Sequence, residues 1–294
     1  MNYLKISFSI FAFFYFQINF AQTDSTSVEE SNIQNYTPSK LLEKGKWDVK
    51  WFNNLYSENK FESNGSITGK PRENYFSSSV EIFTGITNNK KINIGFIIDY
   101  RSNTFGDQRT ISVFNFENKI GKSRSGFAHF APSVKVSPFN SLPNFSIQTS
   151  LYIPLFKEES NINGYLAEKS YIFQNRFFYD YTFSGNKFQL FSELNSRLFF
   201  GEKGKGYANN SLELTPGLFL SYFATNKFTI LGFVQQELLI DLGNKYSKNY
   251  TALGFGSKYQ ITKTINIEAL YSKFVRGNDT GLGQSFNFGL RAIF

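Results

Sequence analysis

The chain has no cysteine, one methionine and one histidine among its 294 residues. Without cysteine there is no disulfide framework and no thiolate metal site. A single imidazole is too little for a zinc centre, and no Asp/Asn run has the spacing of a calcium loop. No metal or cofactor is therefore expected. Beyond residue 21 the sequence also lacks a long apolar run. Its longest uncharged stretch there, Val136–Phe156, is interrupted by Pro138, Asn140, Pro143, Asn144 and Gln148. That composition excludes a bilayer-spanning helix.

What the chain has instead is aromatic side chains spread among polar ones. Phe, Tyr and Trp make up 19% of it, with 36 Phe and 17 Tyr, yet its mean hydropathy is negative. Strands that are apolar on one face only produce this combination. The first residues differ. Met1–Ala21 carries Lys5, then an apolar run from Ile6 to Phe20, and reads as a secretory signal peptide. Residues 22–45 are polar and of mixed charge, including Asp24, Glu29 and Glu30; they are expected to form a flexible lead-in on the periplasmic side.

From Trp47 the hydrophobic period changes to two, the signature of strands. Twelve segments follow it: 47–56, 74–86, 91–101, 126–137, 144–154, 170–182, 187–200, 210–223, 227–240, 249–261, 264–276 and 283–294. Each is long enough to cross a bilayer at a tilt. Short connections of turn-forming residues, such as Ser184-Gly185-Asn186 and Thr262-Lys263, alternate with longer ones at 57–73, 102–125, 155–169, 201–209, 241–248 and 277–282. Short turns at one end and long loops at the other describe an all-β transmembrane antiparallel barrel spanning 46–294, with both termini at the short-turn end. Pro132 and Pro216 fall inside proposed strands, where a missing N–H predicts a bulge or a displaced boundary.

The last strand is the sharpest pattern. Phe286, Phe288, Leu290, Ala292 and Phe294 alternate with Ser285, Asn287, Gly289, Arg291 and Ile293. An alternating strand that stops on a terminal Phe resembles the closing strand of Gram-negative outer-membrane β-barrel proteins. The Phe-Ala-Gln exit of the signal resembles those of Bacteroidota members. The resemblance implies residence in the outer membrane, contact with lipid and lipopolysaccharide, and recognition of this strand by the barrel-assembly machinery. It leaves the subfamily and the oligomeric state open.

Assigning the greasier parity of each strand to lipid places Ile92, Ile94, Leu190, Leu194, Leu212 and Leu218 outside. The opposite parity then puts Asp48, Glu81, Asp99, Asp180, Glu193, Glu213, Glu237 and Glu268 inside. With them come Lys50, Arg101, Lys135, Arg176, Arg197, Lys258 and Arg291. A one-residue slip would carry these charges into hydrocarbon at a few kcal/mol each. Such a mixture can line a narrow path for small polar solutes, or it can pair off and fill the interior of an accessory barrel. Twelve strands fall between filled and open barrels, so width decides nothing.

Enzymatic chemistry has little support. His129 and Ser133 share a parity but lie about 13 Å apart along a strand, too far for a nucleophile and its base. Their surroundings do not resemble the His-x-Ser signature of outer-membrane phospholipases. Gly201–Gly206 is glycine-rich but lacks a phosphate-loop ending. The net charge of +8 is carried largely by proposed outer loops and suggests solvated surface or acidic lipopolysaccharide, with no nucleic-acid motif. In the longest loop, 102–125, the alternation of Ile111–Asn118 fits either strands prolonged above the membrane or an inward constriction.

Overall fold

The computed structural model describes residues 37–156, 164–202, 206, 208–243 and 245–294. The expected signal peptide and residues 22–36 lie outside that range. Twelve long strands follow one another: β1 (Trp47–Ser63), β2 (Ser66–Gly85), β3 (Ile92–Thr104), β4 (Ser123–Val136), β5 (Phe145–Pro154) and β6 (Tyr171–Thr182), then β7 (Phe188–Phe200), β8 (Ser211–Phe223), β9 (Phe228–Asp241), β10 (Lys248–Gln260), β11 (Ile265–Asn278) and β12 (Gln284–Ile293). Each pairs antiparallel with its neighbours, and β1 also pairs with β12, from Asp48↔Ile293 to Ser57↔Gln284. The sheet is a closed barrel. Closure leaves no edge of unpaired backbone in the wall, the condition for strands to cross hydrocarbon. No helix among the described residues is long and apolar enough to cross a membrane.

The register reproduces the inside–outside division read from the sequence. Trp51, Ile94, Leu218, Leu220, Phe255, Phe286 and Phe288 are exposed on the outer wall. Their partners across the pleat, such as Lys50, Glu81 and Arg291, point into the lumen. Phe294 closes the ring through its backbone, donating to Trp47 and accepting from it at 3.0 and 2.7 Å.

Three departures from the sequence reading concern connections. Residues 57–73 are not a loop: β1 and β2 continue to a two-residue turn at Asn64 and Gly65, both at positive φ. That geometry is the hairpin turn whose twist matches its strands. The upper part of the hairpin pairs with the β11–β12 connection, Phe61↔Gly281 and Glu62↔Thr280, and the Glu62 carboxylate accepts from Gly277 N–H at the end of β11 at 3.0 Å. The stretch 102–125 prolongs β3 and β4 only at its ends, to Thr104↔Ser123, and the part between does not enter the lumen. Its segment Thr110–Asn115 is a 3-10 turn laid against the outward faces of β2 and β3. Val113 is fully buried there and accepts a hydrogen bond from Ser102 Oγ at 2.6 Å. Phe114 and Phe116 pack on Phe76, and Phe116 on Tyr100.

The third departure concerns proline. Neither Pro132 nor Pro216 marks a bulge. The β4–β5 register runs unbroken from Phe130↔Ile153 to Ser133↔Ser150, with the ladder missing only at residues 131 and 132. The β8–β9 ladder is likewise missing only at 215 and 216. Both prolines keep their partners on the other side, Phe96 and Leu194. The absent N–H therefore costs one stretch of ladder and leaves the register intact. The register shifts occur elsewhere, at Asp99/Tyr100, Thr251/Ala252 and Glu58/Lys60.

Candidate functional site

The short-turn mouth of the barrel is crossed by the chain itself. Residues 37–46 run from the start of β1 over the lumen, with Thr37, Ser39, Leu41 and Leu42 buried. Leu42 packs with inward-facing Phe83 and Ile293, and its N–H donates to Asn93 Oδ1 at 3.2 Å. Lys135 Nζ donates to the carbonyls of Pro38 and Lys40. Thr37 Oγ1 donates to Asp180 Oδ1 at 2.9 Å, and Lys40 Nζ to Asn144 Oδ1. Gly45 N–H reaches Gly85 O at 3.0 Å. A side chain at Gly85 would collide with the Glu43 carbonyl. For residues 37–45, then, the expected flexible lead-in is corrected: the stretch is a packed plug. At its exposed rim the Lys90 ammonium, then Lys46, hold the Glu43 carboxyl below the usual carboxylate range.

Above the plug a chain of ion pairs crosses the lumen. Arg291 holds Asp48 with a two-pronged contact, Nε to Oδ1 at 2.9 Å and Nη2 to Oδ2 at 2.7 Å. Lys50 stands 3.7 Å from both Asp48 and Glu81. Glu81 on β2 accepts from Arg176 Nη1 on β6 at 3.4 Å, and Arg176 Nε donates to Glu193 at 2.8 Å. Since β3, β4 and β5 separate β2 from β6 in the wall, the Glu81–Arg176 contact is a chord through the interior. The forked Arg291–Asp48 contact, at 2.9 and 2.7 Å, belongs to the stronger, charge-assisted class of hydrogen bond.

On one side of the chord lies a cavity of about 560 Å³. Lys50, Glu81, Arg176, Glu193, Lys258, Glu268 and Arg291 line part of it, and Thr37 and Pro38 of the plug border it. The wall across from Lys50, Glu81, Glu268 and Arg291, and beside Arg176 and Glu193, is aromatic. Phe178, Phe191, Phe219 and Phe233 form a row on β6 to β9, with successive ring centroids 6.0, 5.5 and 5.2 Å apart. Phe233 lies over Gly254, where any Cβ would sit 2.2 Å from the ring. Toward the loop end, Tyr250 stacks on Phe274 at 3.9 Å and Tyr56 meets Phe274 at 4.7 Å. The guanidinium of Arg176 lies 4.9 Å over the ring of Phe178, joining the two kinds of wall.

On the other side of the chord the interior is packed. Ile97, Ala131 and His129 are buried there. Residues 164–170 fold inward against β3 and β4. Asn103 Nδ2 donates to the carbonyls of Tyr165 and Leu166 at 2.8 and 2.9 Å, and His129 Nε2–H to that of Glu168 at 3.2 Å. The inward-turning loop is thus 155–169, over its described part, and not 102–125. His129 makes no hydrogen bond to a hydroxyl or carboxylate among the described residues. Ser133 Oγ is engaged with Ser150 Oγ at 2.7 Å.

All the predicted interior charges lie on inward positions, but they do not form one group. Asp48, Lys50, Glu81, Arg176, Glu193 and Arg291 make the chain across the lumen. Lys258 and Glu268 pair at 3.1 Å beside the cavity. Lys135 and Asp180 serve the plug. Arg197 pairs with Glu213 at 3.0 Å, and Glu237 with Lys248 at 2.9 Å, near the apolar cluster of Ile172, Phe199, Ala208 and Leu239 at the loop end. Asp99 and Arg101 lie in the packed half, with no ion pair within 4.0 Å among the described residues. Sequence reasoning missed Lys248, which it left in a loop, and the inward aromatic row. The row could have been read from β8, where Phe219 and Phe223 share the parity of Glu213.

No family model matches the chain, and no curated protein is similar to it in sequence. Solved structures do resemble it. An outer membrane channel from Pseudomonas putida F1 superposes with a TM-score of 0.71 at 8% identity, covering 93% of this chain and 100% of the other. The beta domain of the Bordetella autotransporter BrkA gives 0.57 at 13% identity over 84% of this chain and 99% of that one. At such identities the likeness is one of fold: this chain has the closed twelve-stranded antiparallel barrel architecture of outer-membrane proteins.

Proposed function

We propose that this chain is an outer-membrane channel for small solutes, with the short-turn end and its plug in the periplasm and no catalytic role. The observation that carries this reading is the cavity of about 560 Å³ inside the barrel, where opposed charges border unfilled space. A barrel acting only as a structural wall gains nothing from such space, because a cavity forfeits packing. Similarity of fold to an outer membrane channel supports the reading. Residues bordering that space are the candidate pore lining, chiefly Lys50, Glu81, Arg176, Glu193, Lys258, Glu268 and Arg291. Lys135 and Asp180 would join them when the plug moves.

The rest of the reading follows from the wall. The exposed apolar belt faces lipid, and the basic loop residues meet acidic lipopolysaccharide groups. Phe286, Phe288 and Phe294 on the outer side of β12 present the alternating pattern to the assembly machinery. The test is single-channel conductance of the refolded mature chain in a planar bilayer. Discrete steps are expected, with ion selectivity altered by Glu193→Gln or Arg176→Gln. A folded, inserted barrel that stays silent both with and without residues 22–45 would overturn the channel reading.

A further inference from the structure

We propose that the lumen cavity is a binding site for a small organic anion with a flat apolar body, such as an aromatic carboxylate. The proposal rests on the channel reading and names the solute class that reading leaves open.

The cavity is two-sided. One wall is the row Phe191, Phe219 and Phe233, whose rings succeed one another at 5.5 and 5.2 Å, with Phe178 buried beneath Arg176 and Lys135 at its end. Water beside such a surface is readily displaced by an apolar body, and a planar one can lie along the row in offset contact. Glycine at 254 keeps room for the last ring to lie flat. A path for fully hydrated ions has no use for this row. Lys50, Glu81, Glu268 and Arg291 face the row from β1, β2, β11 and β12, and Arg176 and Glu193 stand beside it, so an entirely apolar solute would leave these charges unanswered.

The sign of the solute's charge comes from which partner of each ion pair faces the space. Lys50 is 27% exposed, against 9% for Asp48 and 14% for Glu81. Arg176 is 24% exposed, against 14% for both Glu81 and Glu193. Lys258 and Glu268 stand at 31% and 23%, and Arg291 and Asp48 at 15% and 9%. In every pair on the cavity the cation is the more accessible member and the acid stands behind it. Lys50 in addition sits 3.7 Å from both acids, beyond hydrogen-bond length, and keeps donor capacity for a ligand. Arg176 touches both walls, lying over Phe178 while facing the space. A carboxylate near Arg176 and Lys50 places its attached ring against Phe191 and Phe219. The volume of about 560 Å³ holds a one- or two-ring molecule with water to spare.

The test is calorimetric titration of the refolded mature chain in detergent micelles, with matched empty micelles as blank. Three probes of one shape are compared: 2-naphthoate, 2-naphthylmethanol and 2-naphthylmethylamine. Naphthoate is expected to bind about ten-fold or more tightly than the other two, the size of one charge-assisted contact. Lys50→Gln should remove that preference. Phe219→Ala should weaken all three probes, with Phe191→Leu as the substitute if the first variant loses its heat-modifiable gel mobility. Equal affinity for the three probes, or no heat above the blank, overturns the proposal, as does naphthoate binding unchanged in both kinds of variant. Potassium chloride conductance is measured on the same samples. Conductance without naphthoate binding removes this site and leaves the channel reading, and binding by a chain that stays silent both with and without residues 22–45 does the reverse.

Discussion

Arg291 and Asp48 show how differently one ion pair weighs from the next inside this barrel. Both are well shielded and joined by two hydrogen bonds. Asp48→Ala therefore leaves a guanidinium inside the wall without its partner, at a cost on the order of 3–5 kcal/mol. Lys258 and Glu268 are joined at 3.1 Å but stand in the wetter cavity. Lys258→Gln should cost no more than about 1 kcal/mol. Guanidinium unfolding in lipid vesicles, followed by the fluorescence of Trp47 and Trp51, would separate the two. Proline gives the opposite sign. At residue 216 the β8–β9 ladder is interrupted while the register holds. Pro216→Val is expected to restore a ladder hydrogen bond and raise stability by about 0.5–1.5 kcal/mol. A fall in the unfolding midpoint would show that the ring of Pro216 contributes packing that outweighs the bond.

Among the elements, residues 37–46 have the clearest consequence. They lie across the short-turn mouth, held by Lys135, Asp180, Asn93 and Asn144. A mature chain lacking residues 22–45 should fold and show conductance raised roughly several-fold, since a constriction sets the flow. Unchanged conductance would place the narrowest point elsewhere. This element was illegible in the sequence for a physical reason. Lys135 binds backbone carbonyls, which every residue carries, so Pro38 and Lys40 show no matching side-chain signal. The strands were legible because lipid outside and water inside impose period two. Their ends were less so. Asn64-Gly65 is a strong hairpin signal, but the polar residues around it read as loop because the hairpin stands beyond the apolar belt. The alternation at Ile111–Asn118 mimicked a strand, whereas its apolar residues are used against the outer wall. The inward Phe row was hidden because the greasier face was given wholly to lipid, and β8 and β9 carry apolar residues on both.

For the whole molecule, closure is the property that matters most, and it rests on the meeting of β1 with β12. Phe294 contributes two backbone hydrogen bonds to that seam and an exposed ring outside it. Deleting Phe294 is expected to lower the amount of folded protein in the outer membrane of cells while leaving refolding into vesicles nearly intact. Equal loss in both settings would assign the residue to the seam alone and remove its role as an assembly signal. One contact inside the seam's ring reaches further. Glu81 and Arg176 are anchored on opposite stretches of wall and joined through the interior. A hollow tube under lateral pressure from its bilayer can flatten, and a brace across its bore resists that flattening. The brace also divides the bore into unequal halves, of which one is solid. On the channel reading, solutes would be confined to the open half of the bore, and opening would become a task for the ends of the tube.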